Sequence, residues 1–209
     1  MGMVVAGALM AAEPDTRWDE EIAKFKSADA KGMPPEHGIL FVGSSSIRMW
    51  ESLAADFPDL PVYNRGFGGS HMKHLVQYFD RIVRPYAPRQ IVVYSATNDI
   101  TDDKPVAEVL ADWATFCGMV RASLPDAKVA LISVAPNPDR WDKRTEQESF
   151  NALAAAYCER NGLVFIDVWS PMLGDDGEPS RDIYLEDQLH MNAAGYDMWQ
   201  GIVGPYLRK

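Results

Sequence analysis

The sequence is poor in cysteine and has no long apolar run, and each shortage excludes a class of protein. Its 209 residues include only two cysteines, Cys117 and Cys158, and neither belongs to a CxxC pair or neighbours a histidine. We therefore interpret both as small buried apolar residues rather than as disulfide or metal-binding thiols. No apolar run reaches the roughly 18 residues that a membrane span requires, so the sequence predicts no stable membrane association.

Positive charge is also scarce. Lys and Arg number 20 against 30 Asp and Glu, which leaves a formal net charge of −10, and the chain has no compensating basic run. Nucleic acids and anionic membranes would repel such a surface, so the sequence favours a small-molecule ligand over either partner. The hydrophobic fraction of 47% is typical of a globular chain. At this length one domain buries roughly 70% of the unfolded surface, enough for a core without metal or disulfide support.

The N-terminal segment 1–12 is apolar and resembles the hydrophobic part of a secretory signal, with Ala6-Gly7-Ala8 as a small-x-small cleavage pattern. It lacks a Lys or Arg before the apolar run, so an apolar tail that packs on the protein is the alternative. The pattern favours a periplasmic or secreted location over a cytoplasmic one. Residues 13–37 are predicted to form an arm that packs on a single domain spanning residues 38–209.

From residue 38 onward, short apolar runs alternate with longer segments of helical periodicity. This order is typical of right-handed βαβ crossovers and predicts an α/β fold, a single three-layer α/β/α domain with a parallel five-stranded sheet. Strands are predicted at residues 39–42, 62–63, 91–94, 129–134 and 163–168, and helices at 47–57, 72–83, 105–124, 144–161 and 192–206.

Small, hydroxyl, amide and acid–base residues follow these strands, at the sheet edge where α/β proteins bind ligands. A serine from the run 44–46 comes at a strand-to-helix turn, and a base is needed to make it nucleophilic. His190 is the candidate base, and Asp187, three residues earlier, can hold its tautomer. Glycines after the second strand let a backbone N–H approach a substrate, and Asn98 adds a side-chain N–H, so together they can stabilise an oxyanion.

In these blocks the chain resembles the SGNH hydrolases, also called GDSL esterases/lipases, from about Trp18 to Tyr206. The family's Gly-Asp-Ser block corresponds to Gly43-Ser44-Ser45, its Gly-x-Asn-Asp block to residues 96–99 and its Asp-x-x-His block to residues 187–190. The resemblance implies that Ser45 is the nucleophile and that Asp187 and His190 complete a catalytic triad. It also implies an oxyanion hole formed by the Ser45 N–H, Asn98 and Gly69, with Gly66 as the alternative glycine.

Two positions depart from the family pattern. Ser44 stands where the family usually has Asp, and Ala96 stands where it has Gly. Neither change removes a catalytic group, so we expect activity to survive, with an effect on loop geometry and substrate preference.

The resemblance implies a flavodoxin-like sheet and hydrolysis of an ester through an acyl-enzyme, with neither a metal nor an organic cofactor. Because the connections between blocks are short, we expect no lid, an open cleft and short acyl groups such as acetyl. An acetylated carbohydrate and an aryl ester fit the aromatic and polar rim equally well as substrates. The predicted substrate-binding residues are Phe67, Met72 and Trp141, the last in the loop 136–141, and the polar loop 174–182 is a further predicted wall.

Other functions fit parts of the same pattern. A thioesterase or a lysophospholipase could use the same site. A non-catalytic flavodoxin-like module could hold a phosphate or flavin phosphate at the serine turn, but it leaves Asn98, Asp187 and His190 unexplained. Metal-assisted hydrolysis would need the acidic segments 99–103 and 175–176, which lack a paired-histidine ligand set.

Overall fold

The computed structural model describes residues 15–208, in which five parallel strands lie between two layers of helices. The strands are β1 (Ile39–Gly43), β2 (Val62–Gly66), β3 (Gln90–Tyr94), β4 (Lys128–Ile132) and β5 (Val164–Ile166). The helices are α1 (Asp19–Asp29), α2 (Ser45–Arg48), α3 (Leu53–Asp56), α4 (Met72–Gln77), α5 (Phe79–Ile82), α6 (Thr97–Thr101), α7 (Val106–Ser123), α8 (Arg144–Asn161) and α9 (Ala193–Val203).

The strand order is β2-β1-β3-β4-β5, and every neighbouring pair is parallel. This confirms the predicted α/β class and the flavodoxin-like sheet. The chain moves to one side of β1 to form β2 and then crosses to the other side to form β3. Beyond the carboxyl ends of β1 and β3 a crevice therefore opens, because the connections leave these two strands in opposite directions.

Both faces of the sheet are covered, which explains the nearly continuous apolar runs of the central strands. Alternate residues of β1 enter different cores: Leu40 and Val42 pack on one face, while Ile39 and Phe41 pack on the other. Helices α1, α4, α5, α7 and α8 cover the first face, and α2, α3 and α9 cover the second.

Several predicted helices are shorter than their periodicity suggested. The helix expected at 47–57 is interrupted between α2 and α3, where the Trp50 indole turns into the core and donates a hydrogen bond to Asp56 (2.6 Å). The helix expected at 72–83 is interrupted at Tyr78, whose φ of −94° and ψ of 6° are not helical. The last helix ends at Val203 in a 3₁₀ turn, because Pro205 cannot donate the next backbone hydrogen bond.

The N-terminal arm contains a helix, α1, which the sequence analysis does not predict. Trp18, just before it, is 7% exposed, and its indole N–H donates to the Gly68 carbonyl at 2.7 Å. Asp29, at the end of α1, pairs with Arg65 and accepts a hydrogen bond from the Tyr86 hydroxyl at 2.5 Å. These contacts join residues 15–37 to the loop that carries Gly69. The division of the chain at residues 12 and 37 stays a prediction, and the apolar segment 1–12 lies outside the described residues.

Within residues 15–208, no helix combines the length and the apolar character needed to cross a membrane.

Candidate active site

Ser45 is placed by the end of β1. The Ser44 N–H donates to the Tyr94 carbonyl (3.1 Å), which continues the β1–β3 pairing by one residue, and Ser45 then begins α2. Of the three consecutive serines, Ser45 is the one whose hydroxyl faces the histidine: its Oγ lies 3.0 Å from His190 Nε2. Ser44 is 3% exposed, and the Ser46 carbonyl accepts a hydrogen bond from Tyr196 (2.9 Å). The tertiary geometry therefore favours Ser45 among the three hydroxyls.

His190 and Asp187 form the second part of the site. His190 Nδ1 lies 2.7 Å from Asp187 Oδ2, while Asp187 Oδ1 accepts the backbone N–H groups of Leu189 (3.0 Å) and His190 (2.9 Å). Burial alone would raise the pKa of Asp187, but the hydrogen bonds from His190 and from the two N–H groups outweigh it and hold the pKa at about 2. An ionised carboxylate can only accept hydrogen bonds, so Nδ1 carries the imidazole proton. Nε2 is then free to accept the proton of Ser45.

The loop that carries this pair is anchored at several points. Gln188, between Asp187 and His190, has a φ of +55°, a left-handed conformation that costs a non-glycine residue free energy. Its carbonyl accepts the Asp139 N–H at 3.0 Å, and the His190 carbonyl accepts the Leu185 N–H at 2.8 Å. The Tyr184 hydroxyl donates to the Pro136 carbonyl. Residues 136–140 therefore hold the His190 loop in place.

Asn98 lies in α6, beyond the end of β3. Its Nδ2 donates to the Ser70 carbonyl at 2.9 Å, and its Oδ1 accepts Nη1 of Arg140 at 2.8 Å. One Nδ2 hydrogen remains for a substrate oxygen. Ala96, in the glycine position of this block, has a φ of +86° and caps α6, so the chain keeps the left-handed backbone there despite a side chain.

Gly69 and Gly66 occupy different environments. Gly69 is exposed, has a φ of +71°, and a Cβ there would meet nothing within 4 Å. Within residues 15–208 its N–H has no hydrogen-bond acceptor. The Gly66 N–H donates to Asn64 Oδ1 at 2.8 Å, and a Cβ there would lie 2.4 Å from the Arg48 backbone nitrogen. Gly66 thus permits the close approach of β2 to α2, and its N–H is occupied, which favours Gly69 as the available donor.

Two predicted substrate-binding residues are not at the surface. Phe67 and Met72 are fully buried in the core on the α1 side of the sheet. Phe67 packs edge-on against Trp18 and Tyr78, with ring centroids 5.9 and 5.8 Å apart. Contrary to the prediction, neither side chain lines the cleft beside Ser45, because both point into the core. Trp141 is half-buried and stacks on Trp169 with a centroid distance of 5.7 Å.

The cleft beside Ser45 is small. Its cavity volume is about 20 Å³, which is room for about one or two water-sized groups. Large aromatic side chains close its floor: Tyr94, Tyr184 and Trp199 are each no more than 5% exposed. Ser45, Asn98, Asn137, Arg140, Leu189 and His190 also line it. Arg140 lies in the loop 136–141, which the sequence predicts as a wall of the cleft, but no feature of the sequence predicts its contact with Asn98.

Asp99, next to Asn98, is a buried carboxyl group. It is 0% exposed and accepts the Met72 N–H at 2.9 Å, while Lys104 Nζ lies 3.3 Å from its other oxygen. Burial raises the pKa of Asp99, although the Met72 hydrogen bond and the charges of His71 and Lys104 oppose the shift. Asp99 therefore joins α4 to α6 behind the oxyanion donors. Within the described residues, no group of three or more His, Cys, Asp or Glu side chains could hold a metal ion.

A serine, a histidine and a carboxylate in hydrogen-bonded sequence, next to an amide donor at the crevice of a doubly wound sheet, define the class of serine-dependent acyl hydrolases. Residues 35–198 match the model of the GDSL-like lipase/acylhydrolase family. The chain belongs to this family and is a carboxylic ester hydrolase.

Solved structures agree on the fold. A protein provisionally described as a platelet activating factor from Streptococcus pneumonia has a TM-score of 0.80 and 22% identity, covering 91% of this chain and 92% of its own. A GDSL-like lipase from Bacteroides thetaiotaomicron has a TM-score of 0.77 and 22% identity, with coverages of 88% and 96%. A variant of an acetyl xylan esterase from Geobacillus stearothermophilus has a TM-score of 0.65 and 15% identity, with coverages of 83% and 98%. Among curated protein sequences, none matches this chain.

Proposed function

We propose that the protein hydrolyses carboxylic esters of short acyl groups, acetyl above all, through an acyl-enzyme on Ser45. The observation that carries the proposal is the alignment Ser45–His190–Asp187, with distances of 3.0 and 2.7 Å, at the mouth of a cleft with room for about one or two water-sized groups. An acetyl methyl group is of that size, whereas an octanoyl chain is much longer.

The reaction proceeds in two halves. His190 Nε2 takes the Ser45 proton as Oγ attacks the acyl carbonyl, and the imidazolium that forms is stabilised by the Asp187 carboxylate. The Ser45 N–H, the Gly69 N–H and the remaining Asn98 Nδ2 hydrogen stabilise the oxyanion. His190 then protonates the leaving alcohol. In the second half it deprotonates water, which attacks the acyl-enzyme and releases the acid and Ser45.

The nucleophile is tested by labelling and turnover together. We expect the wild-type protein to be labelled by a fluorophosphonate at Ser45 and to hydrolyse p-nitrophenyl acetate, and S45A to lose both while keeping its wild-type melting temperature. S44A and S46A are the matched controls, since each removes a neighbouring hydroxyl that does not face His190. A labelled S45A, or loss of turnover in S44A or S46A but not in S45A, would assign the reaction to another serine.

The acyl specificity is tested by a chain-length series with a constant leaving group. We expect kcat/KM for p-nitrophenyl esters to fall at least about 10-fold from acetate to octanoate, because a longer chain must leave the cleft and expose its methylenes to water. Thioester and lysophospholipid substrates at equal concentration test the two alternatives for the same site. Preference for octanoate or longer esters would refute the short-acyl proposal.

The leaving alcohol requires its own panel. Trp141 follows Arg140, which lines the cleft, and stacks on Trp169 in the loop after β5. Because an aromatic face suits a sugar ring or an aryl group, Trp141 is the proposed contact for the leaving alcohol. An acetyl xylan esterase shares the fold, so acetylated xylooligosaccharides belong in the panel beside aryl acetates.

A further inference from the structure

Arg140 lies on the rim of the cleft, at a fixed position of the backbone. It interrupts the 3₁₀ turn Pro138–Lys143 with a φ of −124° and a ψ of 26°, and its N–H donates to Asn137 Oδ1 at 3.1 Å. Asn137 is 2% exposed, and the Asp139 N–H is bonded to the Gln188 carbonyl at 3.0 Å. The backbone that leads into Arg140 is therefore tied to the buried Asn137 and to the His190 loop.

The two ends of the Asn98 amide contact different partners: the Arg140 guanidinium binds its oxygen, and its NH₂ group binds a carbonyl. Arg140 Nη1 donates to Asn98 Oδ1 at 2.8 Å, while Asn98 Nδ2 donates to the Ser70 carbonyl at 2.9 Å. If the amide were flipped, its NH₂ group would face a guanidinium that can only donate, and its oxygen would face a carbonyl that can only accept. Both contacts thus select the same orientation of the amide.

The charge of Arg140 is only weakly compensated. Its side chain is 18% exposed, and the nearest carboxylate oxygen, on the half-exposed Asp139, lies 3.8 Å from Nε. An arginine stays protonated across the working pH range of an esterase. A charge-assisted bond to the amide oxygen draws electron density toward that oxygen and makes the NH₂ group a stronger donor.

From these contacts we infer that Arg140 is a positioning residue for the oxyanion hole. It holds the Asn98 amide with Nδ2 toward the substrate oxygen and strengthens that donor, without itself contacting the reacting atoms. The inference rests on the proposed function, since it concerns the donor that Asn98 supplies to the same reaction.

A double-mutant cycle with Asn98 tests this role. We expect R140M to lower kcat for p-nitrophenyl acetate about 10- to 100-fold while KM changes less than about 2-fold, because the donor acts on the transition state and not on the bound ester. N98A should lose about 100-fold or more. Adding R140M to N98A should then change kcat less than about 3-fold, because the group through which Arg140 acts is already absent. R140K, which keeps one charged donor, should recover part of the lost kcat.

K143M is the matched control, since Lys143 lies in the same 3₁₀ turn but pairs with Asp103, whose side chain is 81% exposed. We expect K143M to keep kcat within about 2-fold, and all variants to be compared at temperatures below their melting transitions. Wild-type kcat in R140M, effects of R140M and N98A that multiply in the double variant, or a rise in KM at constant kcat would each overturn the inference. A wild-type protein without esterase activity or Ser45 labelling would instead overturn the proposed function.

Discussion

At the scale of single residues, the hydrogen bonds that a side chain accepts determine its ionisation state, and Asp187 is the example in this site. Asp187 is half-exposed, with 48% of its side chain accessible, yet its pKa is held at about 2 by the hydrogen bonds it accepts. It therefore stays ionised from neutral pH down to well below pH 4. Through that range its carboxylate can accept a hydrogen bond from His190 Nδ1, 2.7 Å away.

Gly66, at the end of β2, and Gly69, in the loop that follows, differ in what a methyl group would meet. We expect Gly66→Ala to destabilise the protein by about 3 kcal/mol, because the new Cβ would lie 2.4 Å from the Arg48 nitrogen in the helix that carries Ser45. We expect Gly69→Ala to cost only about 1 kcal/mol, the strain of an alanine at a φ of +71°. If the backbone relaxes away from a φ of +71° to relieve this strain, the Gly69 N–H moves with it, so Gly69→Ala should also lower kcat/KM at least about 10-fold if this N–H is the proposed oxyanion donor.

Urea unfolding and p-nitrophenyl acetate turnover, measured on the same preparations, separate the two effects. A stable Gly69→Ala variant with wild-type turnover would remove Gly69 from the oxyanion hole. A stable Gly66→Ala variant would show that the approach of β2 to α2 can relax.

At the scale of elements, the fold brings helix starts and loops together behind the site. Asp99 of α6 receives the N–H of Met72, at the start of α4, and the ammonium of Lys104, which also pairs with Asp112 of α7. Three helices are thus joined by one buried carboxylate and one lysine. The same α6 presents Asn98 to the cleft, so this cluster supports the helix that carries the proposed oxyanion donor.

Removal of Lys104 should show how much the buried charge of Asp99 destabilises the folded protein when it has no cation beside it. We expect K104M to lower the free energy of unfolding at pH 7 by about 3 kcal/mol, because Asp99 would remain buried without its cation. K143M removes a lysine whose aspartate partner is mostly exposed and should cost less than about 1 kcal/mol.

The pH dependence follows from the direction of the Asp99 shift. Its pKa in the folded protein is raised, so ionisation of Asp99 opposes folding, and the favourable contribution of its protonated form is lost as the pH rises through that pKa. Without Lys104 the ionised form of Asp99 is less stable still, so K104M should lose more stability than wild type as the pH rises. The difference in the free energy of unfolding between wild type and K104M should therefore be smaller at pH 4 than at pH 7. Urea unfolding across that range measures it, and a difference that grows toward low pH would contradict the assignment.

At the scale of the whole molecule, the site exists only when the sheet is complete. Ser45 and His190 are 145 positions apart in the chain, yet their reacting atoms are 3.0 Å apart. Ser45 follows β1, Asn98 follows β3, Arg140 follows β4 and His190 follows β5, so four of the five strands send a loop to the cleft. The loop after β2 contacts Asn98 through the Ser70 carbonyl. The parallel arrangement causes this convergence, since all five carboxyl ends lie at one edge.

The alternation of apolar runs and helical segments was sufficient to predict the α/β class and the parallel sheet, because parallel crossovers permit few topologies. The flavodoxin-like arrangement of the strands followed from the family resemblance. Helix ends were predicted less well. Trp50 and Tyr78 lie in continuous helical periodicity, and both helices break there because their side chains make tertiary contacts: Trp50 packs against Phe41 and Trp199, and the Tyr78 hydroxyl donates to the Asp15 carbonyl at 2.8 Å. No local signal in the sequence reports such contacts.

By itself, the sequence determined the sheet, the edge at which chemistry would lie, and the residue types Ser45, Asp187 and His190 in their order. These features depend on local periodicity and on short spacings. Only the tertiary structure decided which of three serines meets the imidazole, that Phe67 and Met72 belong to the core, and that Arg140 orients Asn98. The contacts of Arg140 with Asn98 and of Ser45 with His190 join residues 42 and 145 positions apart. At such separations, packing against distant elements, rather than local sequence, determines the lowest free energy.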